Sequence, residues 1–275
     1  MRISIVTISY NQAKFLEQAI CSVINQDYPD LEYIVVDPGS TDGSREIIEK
    51  YRDRIDKIIF DPDEGPADGL NKGFAHATGE VFGFINADDA LLPKALQKVA
   101  SVFEKNPEVD VVTGHIYKVD EHLHLIRRLR ATPYSPYLYV YGGAQITQQG
   151  TFFNKQAYNK TAGFNKKNKT SWDGELLLDI GLAGGKFFVL DEHLALFRVY
   201  NDSISGSGRL EAAYAEDCKR YFQKVVGRPY RSIDHIFSMW FKLTKWARDP
   251  RGLVIRLYDC LLTTHLRRKV ILPQL

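Results

Sequence analysis

The chain has 275 residues and an apolar content of 44%, enough for a sizeable core in one large domain or one domain with a substantial extension. Its formal charge of +2 removes any whole-molecule argument for nucleic acid, so a basic surface would have to be local. Three widely spaced cysteines, Cys21, Cys218 and Cys260, contain no CxxC pair and argue against a disulfide or zinc framework. No apolar run approaches the ~20 residues of a membrane span or the core of a signal peptide, so a cytosolic protein is expected, with any membrane contact peripheral on the inner face.

The first ~115 residues alternate β-branched runs with helical patterns, the signature of a mostly parallel sheet covered by helices. "ISIVTI" predicts a buried strand, and "QAKFLEQAICSVINQ" an amphipathic helix with Asn11 as its N-cap. "EYIVVD", "SREIIEKYRDR" and "DKIIF" continue as strand, helix and strand. "GPADGLNKGFAHATG" predicts a helix opened by Pro66 and closed by Gly79, and "EVFGFI" and "PKALQKVASVFEKN" the next strand and helix. A strand pair is expected in "VDVVTGHIYKVD" and "LHLIRRLR", followed by a long aromatic loop, "TPYSPYLYVYGGAQITQQG", of a length suited to a functional lid. "WDGELLLDIGLAGG" reads as a helix, "KFFVLDEHLALFRVY" as two short strands, "NDSISGSGR" as a break, and the chain from about Leu210 as helical.

Ligands of open α/β sheets collect at the carboxyl ends of the strands. Four polar clusters fall there: "TISYN", "VDPGSTDGS", "DPDEGPAD" and "NADD". Each alone is good turn or cap chemistry; their convergence on one edge favours a site. Adjacent acids on an extended segment face opposite ways, so one of Asp88 and Asp89 is expected to enter the cleft and the other to support it. A carboxylate there suits Mg²⁺ or Mn²⁺, hard cations that share their shell with substrate phosphates, and so suggests a diphosphate substrate. No Walker lysine motif and no GxGxxG is present, which argues against a P-loop ATPase or a dinucleotide-dependent dehydrogenase.

The stretches "SIVTISYNQAKFLEQAICSVINQDYPDLEYIVVDPGSTDGSREII" and "DEGPADGLNKGFAHATGEVFGFINADDALLP" resemble, in order and spacing, a family 2 glycosyltransferase of the GT-A fold, a Rossmann-like, mostly parallel sheet flanked by helices. The resemblance weakens toward residue 205. It implies a glycosyltransferase domain over residues 1–205, with a donor half to 115 and an acceptor half beyond, followed by a helical extension over 206–275. It further implies an inverting, metal-dependent transfer from a nucleoside diphosphate sugar, a UDP-sugar foremost, to a glycan or lipid-linked acceptor in bacterial surface polysaccharide synthesis. On these positions the family's donor site falls on Thr7, Tyr10, Asn11, Asp37, Ser40, Asp42, Asp68, Asn71, Lys72 and Asn86. "NADD" becomes the DxD-type motif, with Asp88 the metal ligand and Asp89 a second acid in support. The general base falls in "SWDGELLLDIG", on Asp173 with Glu175 two residues on, although Asp173 also suits a helix N-cap. Gln148, Gln149 and Trp172 fall on the acceptor side. Three departures stand out: Pro38 replaces an acid of the usual "VDDGSTD", Asn86 the first acid of the usual "DADD", and Tyr200 a frequent histidine after Arg198. They motivate an alternative, a catalytically silent relative that binds a nucleotide sugar or glycan. A phospho-acceptor receiver domain is a remote third, because the chain lacks that order of acid, hydroxyl and lysine.

The tail from residue 230 combines Ile233, Ile236, Phe237, Trp240, Phe241 and Leu243 with Lys242, Lys245, Arg248, Arg267, Arg268 and Lys269. Aromatic and basic residues on one helix suit a membrane interface; the competing expectation is a helical pair packed on the catalytic domain or on a second subunit as a homodimer.

Overall fold

The computed structural model describes residues 1–201, 203 and 209–265, with the backbone alone for Trp246, Arg248 and residues 260–265. The first part alternates β1 (Ile3–Ile8), α1 (Ala13–Ile24), β2 (Leu31–Val36), α2 (Ser44–Lys50), β3 (Lys57–Ile59), α3 (Pro66–His76) and β4 (Val81–Asn86). Then come β5 (Ala90–Leu91), α4 (Ala95–Lys105), β6 (Val111–Val119), β7 (Leu125–Leu129), α5 (Pro136–Val140), β8 (Thr151–Asn154), α6 (Lys155–Asn159), α7 (Trp172–Leu182) and β9 (Phe187–Arg198). Three helices follow, α8 (Glu211–Val226), α9 (Asp234–Arg248) and α10 (Pro250–His265).

All the strands join one mixed sheet in the order β3-β2-β1-β4-β8-β6-β9-β5, with β7 on the flank of β6. β1 runs parallel to β2 and β4, and β2 to β3. β8 is antiparallel to both β4 and β6, so it joins the parallel first half of the sheet to the mixed second half. Alternation along β1 sends Ile3 and Ile5 toward the layer of Leu16, Ile20, Leu96 and Val99, and Val6 toward the opposite layer of Leu70, Phe74 and Leu176. Both faces are covered, which is why these strands read as unbroken apolar runs.

Several local expectations change. Asn11 does not cap α1: it takes a left-handed φ of 52°, and Gln12 occupies the cap position. Gly79 lies beyond the end of α3, where Ala77 is the C-cap, and a Cβ on it would stand 2.5 Å from Ser4 Oγ and 2.8 Å from Ser4 N. Close backbone approach, not helix termination, requires the glycine. The two strands expected in residues 186–200 are one, β9, whose register against β6 slips near Asp191–Leu194. The long aromatic loop contains α5 and a 3₁₀ turn at Gln148–Gly150.

That loop is also where the helical extension docks. Tyr141 is buried, its hydroxyl donates to Asp234 at 3.0 Å, and its ring packs against Phe222, Phe237 and Phe241. Paired Arg228 contacts at 2.6 and 2.8 Å hold the Asp234 carboxyl far below its ordinary range. The expected boundary at residues 205/206 lies outside the described residues, as do Arg267, Arg268 and Lys269 and the side chain of Arg248.

Candidate active site

The carboxyl ends of β1 to β4 open into one cavity of about 1050 Å³. From the first half of the sheet its lining includes Ser9, Tyr10 and Gln12 after β1, Pro38 and Gly39 after β2, Pro62 and Asp63 after β3, and Asn86 to Asp89 after β4. All four polar clusters converge as the strand order requires. The second half supplies Leu129, Tyr139, Gln145 to Gln149, Thr170 to Asp173, Arg198 and Tyr200.

The loops after β1 and β2 are clipped to each other. Asn11 N donates to Ser40 Oγ at 2.8 Å and its amide oxygen accepts from Thr41 N at 2.9 Å. Asp42 accepts from Ala13 N at 2.9 Å and Ser44 N at 3.0 Å, which holds its carboxyl below the ordinary range despite some burial. Asp37 is fully buried and accepts from Gly39 N, Ser40 N and Arg45. Asp37, Asn11, Ser40 and Asp42 therefore shape the loops that present Pro38 and Gly39, while their own polar atoms are engaged. Thr7 is buried one residue inside β1, where its hydroxyl accepts from Tyr33 OH at 2.9 Å.

On α3 the expected donor residues also turn to framework bonds. Asp68 pairs with Lys166 at 2.8 Å and Lys72 at 3.6 Å, and Lys72 also donates to the Pro62 carbonyl. Asn71 exchanges hydrogen bonds with both backbone groups of Phe164 at 2.8 and 2.9 Å. None of the three lines the cavity; Asp63 does. Asp63 accepts from Gly65 N at 2.9 Å, and burial raises its carboxyl above the ordinary value. "DPDEGPAD" holds that signal, but one acid among its four is not separable by spacing.

"NADD" is a turn rather than an extended segment, closed by Asp89 N donating to the Asn86 carbonyl at 3.0 Å. It still sends its acids different ways. Asp89 is buried and accepts from Arg198 N and Gln149 Nε2 at 2.9 Å and from Asn86 Nδ2 at 3.2 Å. Burial and the neighbouring Asp88 push its carboxyl well above the ordinary range. Asp88 carries the opening toward the cavity, with the Tyr200 hydroxyl 3.2 Å from Oδ2, and burial raises it too. A third carboxylate at position 86 would add repulsion to a pair already resisting ionisation, whereas Asn86 donates to Asp89. The buried Oδ1 of Asn86 has no hydrogen-bond partner. Gln148 braces the strand that leads into this turn, donating to Phe84 O at 3.0 Å.

The last residue of β9, Arg198, and Tyr200 just beyond it complete this corner. Arg198 is 2% exposed rather than on the surface; it donates to the Asp88 carbonyl at 2.9 Å and sits over the Phe15 ring at 4.3 Å. Tyr200, in the place of the frequent histidine, reaches Gln12 Oε1 at 3.1 Å as well as Asp88, and its phenol is pushed up to about 12, by burial first and then by Asp88.

Across the cavity, α7 begins after Ser171, so Asp173 is the second residue of its first turn and not the cap. Burial raises its carboxyl while the amide of Gly174 and its own amide lower it, and the rise prevails. Trp172 lines the cavity with its buried Nε1 unpartnered. Glu175 lies outside the lining: its carboxylate accepts from Asn165, Asn168 at 2.8 Å and Arg220 at 2.8 Å, which tie α7 to α8.

Among the described residues no group of three or more His, Cys, Asp or Glu is arranged to hold a metal. Both acids line the cavity; Asp89 has both oxygens engaged by neutral donors, whereas the half-buried Asp88 accepts through Oδ2 from the Tyr200 hydroxyl. The donor set therefore fits a hard cation held by one carboxylate and completed by ligand oxygens, not by two acids in parallel.

Parallel strands that end in one cavity, faced by an acid on a helix of the second half, form an α/β fold of the GT-A glycosyltransferase type. It superposes on Staphylococcus aureus TarS 1-349 in complex with UDP-GlcNAc with a TM-score of 0.66 at 18% identity, over 97% of this chain and 76% of that one. For the mannosyltransferase PcManGT of Pyrobaculum calidifontis in complex with GDP-Man and Mn²⁺ the TM-score is 0.62 at 16% identity, over 96% and 75%. The chain belongs to the family described as glycosyl transferase family 2, whose pattern matches residues 4–192. It is 31% identical to a glycosyltransferase of Nostoc sp. (strain PCC 7120) over 73% of this chain, and spans 65% of that relative's length. It is 27% identical to TuaG of Bacillus subtilis, named for teichuronic acid biosynthesis, over 82% of this chain and 91% of TuaG.

Proposed function

We propose that the protein is an inverting glycosyltransferase that moves a sugar from a nucleoside diphosphate sugar to a glycan or lipid-linked acceptor in surface polysaccharide synthesis. The observation that carries this reading is the placement of the Asp88 and Asp173 carboxylates, one after β4 and one on α7, in the wall of one cavity. TuaG's name supports the polysaccharide setting, and the UDP-GlcNAc and GDP-Man complexes of the two structural relatives support the donor class without choosing the base.

In this reading Pro38, Gly39 and Tyr10 border the base, and the unpartnered Asn86 Oδ1 accepts from a ribose hydroxyl. Asp88 would hold Mn²⁺ or Mg²⁺, and Asp89 keeps the turn in shape from behind. When bound, the cation supplies positive charge to the departing diphosphate. Asp173 accepts the proton of the acceptor hydroxyl as its oxygen attacks the anomeric carbon; the bond to the diphosphate breaks and configuration inverts. Trp172, Gln148 and Gln149 line the acceptor side.

No described helix is long and apolar enough to cross a membrane. The exposed stripe of Ile233, Ile236, Phe237, Trp240 and Leu243, with exposed Lys242 on the same helix, faces an anionic bilayer in this reading. The test of the function is incubation with a panel of nucleotide sugars in Mn²⁺ or chelator, followed by mass spectrometry. Slow Mn²⁺-dependent hydrolysis of one donor is expected; no hydrolysis across the panel, with nucleotide binding intact, favours a silent relative instead.

A further inference from the structure

A second, smaller chamber of about 70 Å³ lies between β7 and the helices α9 and α10. Its wall carries Arg127, Arg128, Arg130, Lys245 and Arg256 against a single carboxylate, Asp249. That carboxylate is engaged, accepting from Arg130 Nε at 2.9 Å and Gly252 N at 3.0 Å. Arg128 is held by Asp259 behind the wall, and Arg130 also donates to Asp191 at 2.9 Å. Among the described residues, the five cations of the wall gather about the carboxylates of Asp249, Asp259 and Asp191. Lys245 is pushed down by burial and then by Arg256 and Arg127, so the fold gathers like charges that oppose one another.

Two observations say what such a chamber receives. Ligand pockets for drug-sized molecules run to roughly 300–1,000 Å³, so this one takes an anion-sized head and not a sugar. Leu129 and Gln145 line both this chamber and the large cavity, and Gln145 Oε1 accepts from Lys245 Nζ at 2.8 Å. One layer of side chains therefore separates the cations from the acceptor half of the active site. On the outer side, α10 carries Arg256 toward the chamber while Leu253, Val254, Leu257 and Tyr258 stand exposed.

We infer that the chamber lined by Arg127, Lys245 and Arg256 is a phosphate subsite that holds an anionic group of the acceptor beside the reaction cavity. The assignment to the acceptor rests on the proposed glycosyl transfer; phosphate binding itself does not. Phosphate chemistry is shared by an isoprenoid diphosphate carrier and by a phosphate in solution or in a polymer, and the exposed apolar residues of α10 favour the carrier.

The test is calorimetric titration of the full chain, in chelator, with inorganic pyrophosphate and with farnesyl diphosphate. Removing like charges relieves repulsion, so Arg127→Gln/Arg256→Gln is expected to fold. It should bind both probes at least tenfold more weakly than wild type. A charge-matched control, Lys50→Gln/Lys219→Gln, removes two remote exposed cations and should leave both affinities within twofold. Tighter binding of farnesyl diphosphate than of pyrophosphate assigns a lipid carrier, and equal binding a soluble or polymeric phosphate; both support the subsite. Absence of binding, or equal weakening in the control, overturns it. Nucleoside diphosphate affinity, measured in parallel with Mn²⁺, should be unchanged in Arg127→Gln/Arg256→Gln, and its absence in every protein would count against the donor reading alone.

Discussion

Asp173→Asn exchanges one ionisable oxygen for an amide while keeping an acceptor for the Gly174 N–H, so it separates proton removal from shape. A positioned general base contributes roughly 10²–10⁴ in rate, so the substitution should lower turnover by that factor, about 2.7–5.5 kcal/mol in the barrier. The donor corner lies on other strands, so nucleotide affinity should stay within twofold. Burial raises the Asp173 carboxyl above its unfolded value near 3.9, and the base works only when ionised. Wild-type turnover should therefore fall as pH drops through that raised value, and the acidic limb should vanish in Asp173→Asn. The stability consequence has the opposite sign. A carboxyl with a raised folded pKa contributes stability below the unfolded pKa and loses it as pH rises through the folded one. At neutral pH the variant should thus melt no lower than wild type, and the advantage should disappear at acid pH. Transfer or donor hydrolysis followed by mass spectrometry, with a thermal melt at matched pH, measures both. Turnover within twofold of wild type would refute the base assignment, and a clearly lower melting temperature would refute the burial argument.

Gly79→Ala should lower stability by about 1–3 kcal/mol in urea denaturation, because its Cβ would meet Ser4 N at 2.8 Å and the Arg2 carbonyl at 2.9 Å, backbone atoms that cannot turn aside. An unshifted midpoint would show that β1 yields there at little cost. In vesicle flotation, Trp240→Gln/Leu243→Gln should reduce binding to anionic vesicles at least tenfold. If wild type does not float but dimerises through this stripe, the bilayer reading fails and the subunit interface takes its place.

The periodic and apolar part of the fold was readable from residues alone, since buried parallel strands and one-sided helices leave patterns that no distant contact has to complete. The strand-end clusters were readable for the same reason: topology fixes where β1 to β4 end. What escaped was set by contacts distant in sequence. Asn11 looks like a cap beside a helix, yet its partners are Ser40 and Thr41 on the next loop. Glu175, two residues from Asp173, is drawn away by Arg220 on a helix 45 residues later. Asp68, Asn71 and Lys72, expected at the donor pocket from the resemblance, spend their polar groups on Lys166, Phe164 and Pro62. The basic chamber could not be found by spacing, because it is assembled from β7 and two helices more than a hundred residues on. Asn86 shows the reverse: its missing charge, a departure in the sequence, becomes intelligible beside two carboxylates that burial already discourages from ionising.

The claim on which the rest depends is that Asp88, and not Asp89, couples a divalent cation to a nucleoside diphosphate in the large cavity. Calorimetric titration of wild type and Asp88→Asn with a panel of nucleoside diphosphates, in Mn²⁺ and in chelator, addresses it most directly. At least one nucleotide should bind wild type tenfold or more tightly with Mn²⁺ than without, and Asp88→Asn should lose that gain while retaining its metal-free affinity. A metal-dependent gain that survives in Asp88→Asn, or no nucleotide binding by wild type under either condition, would contradict it.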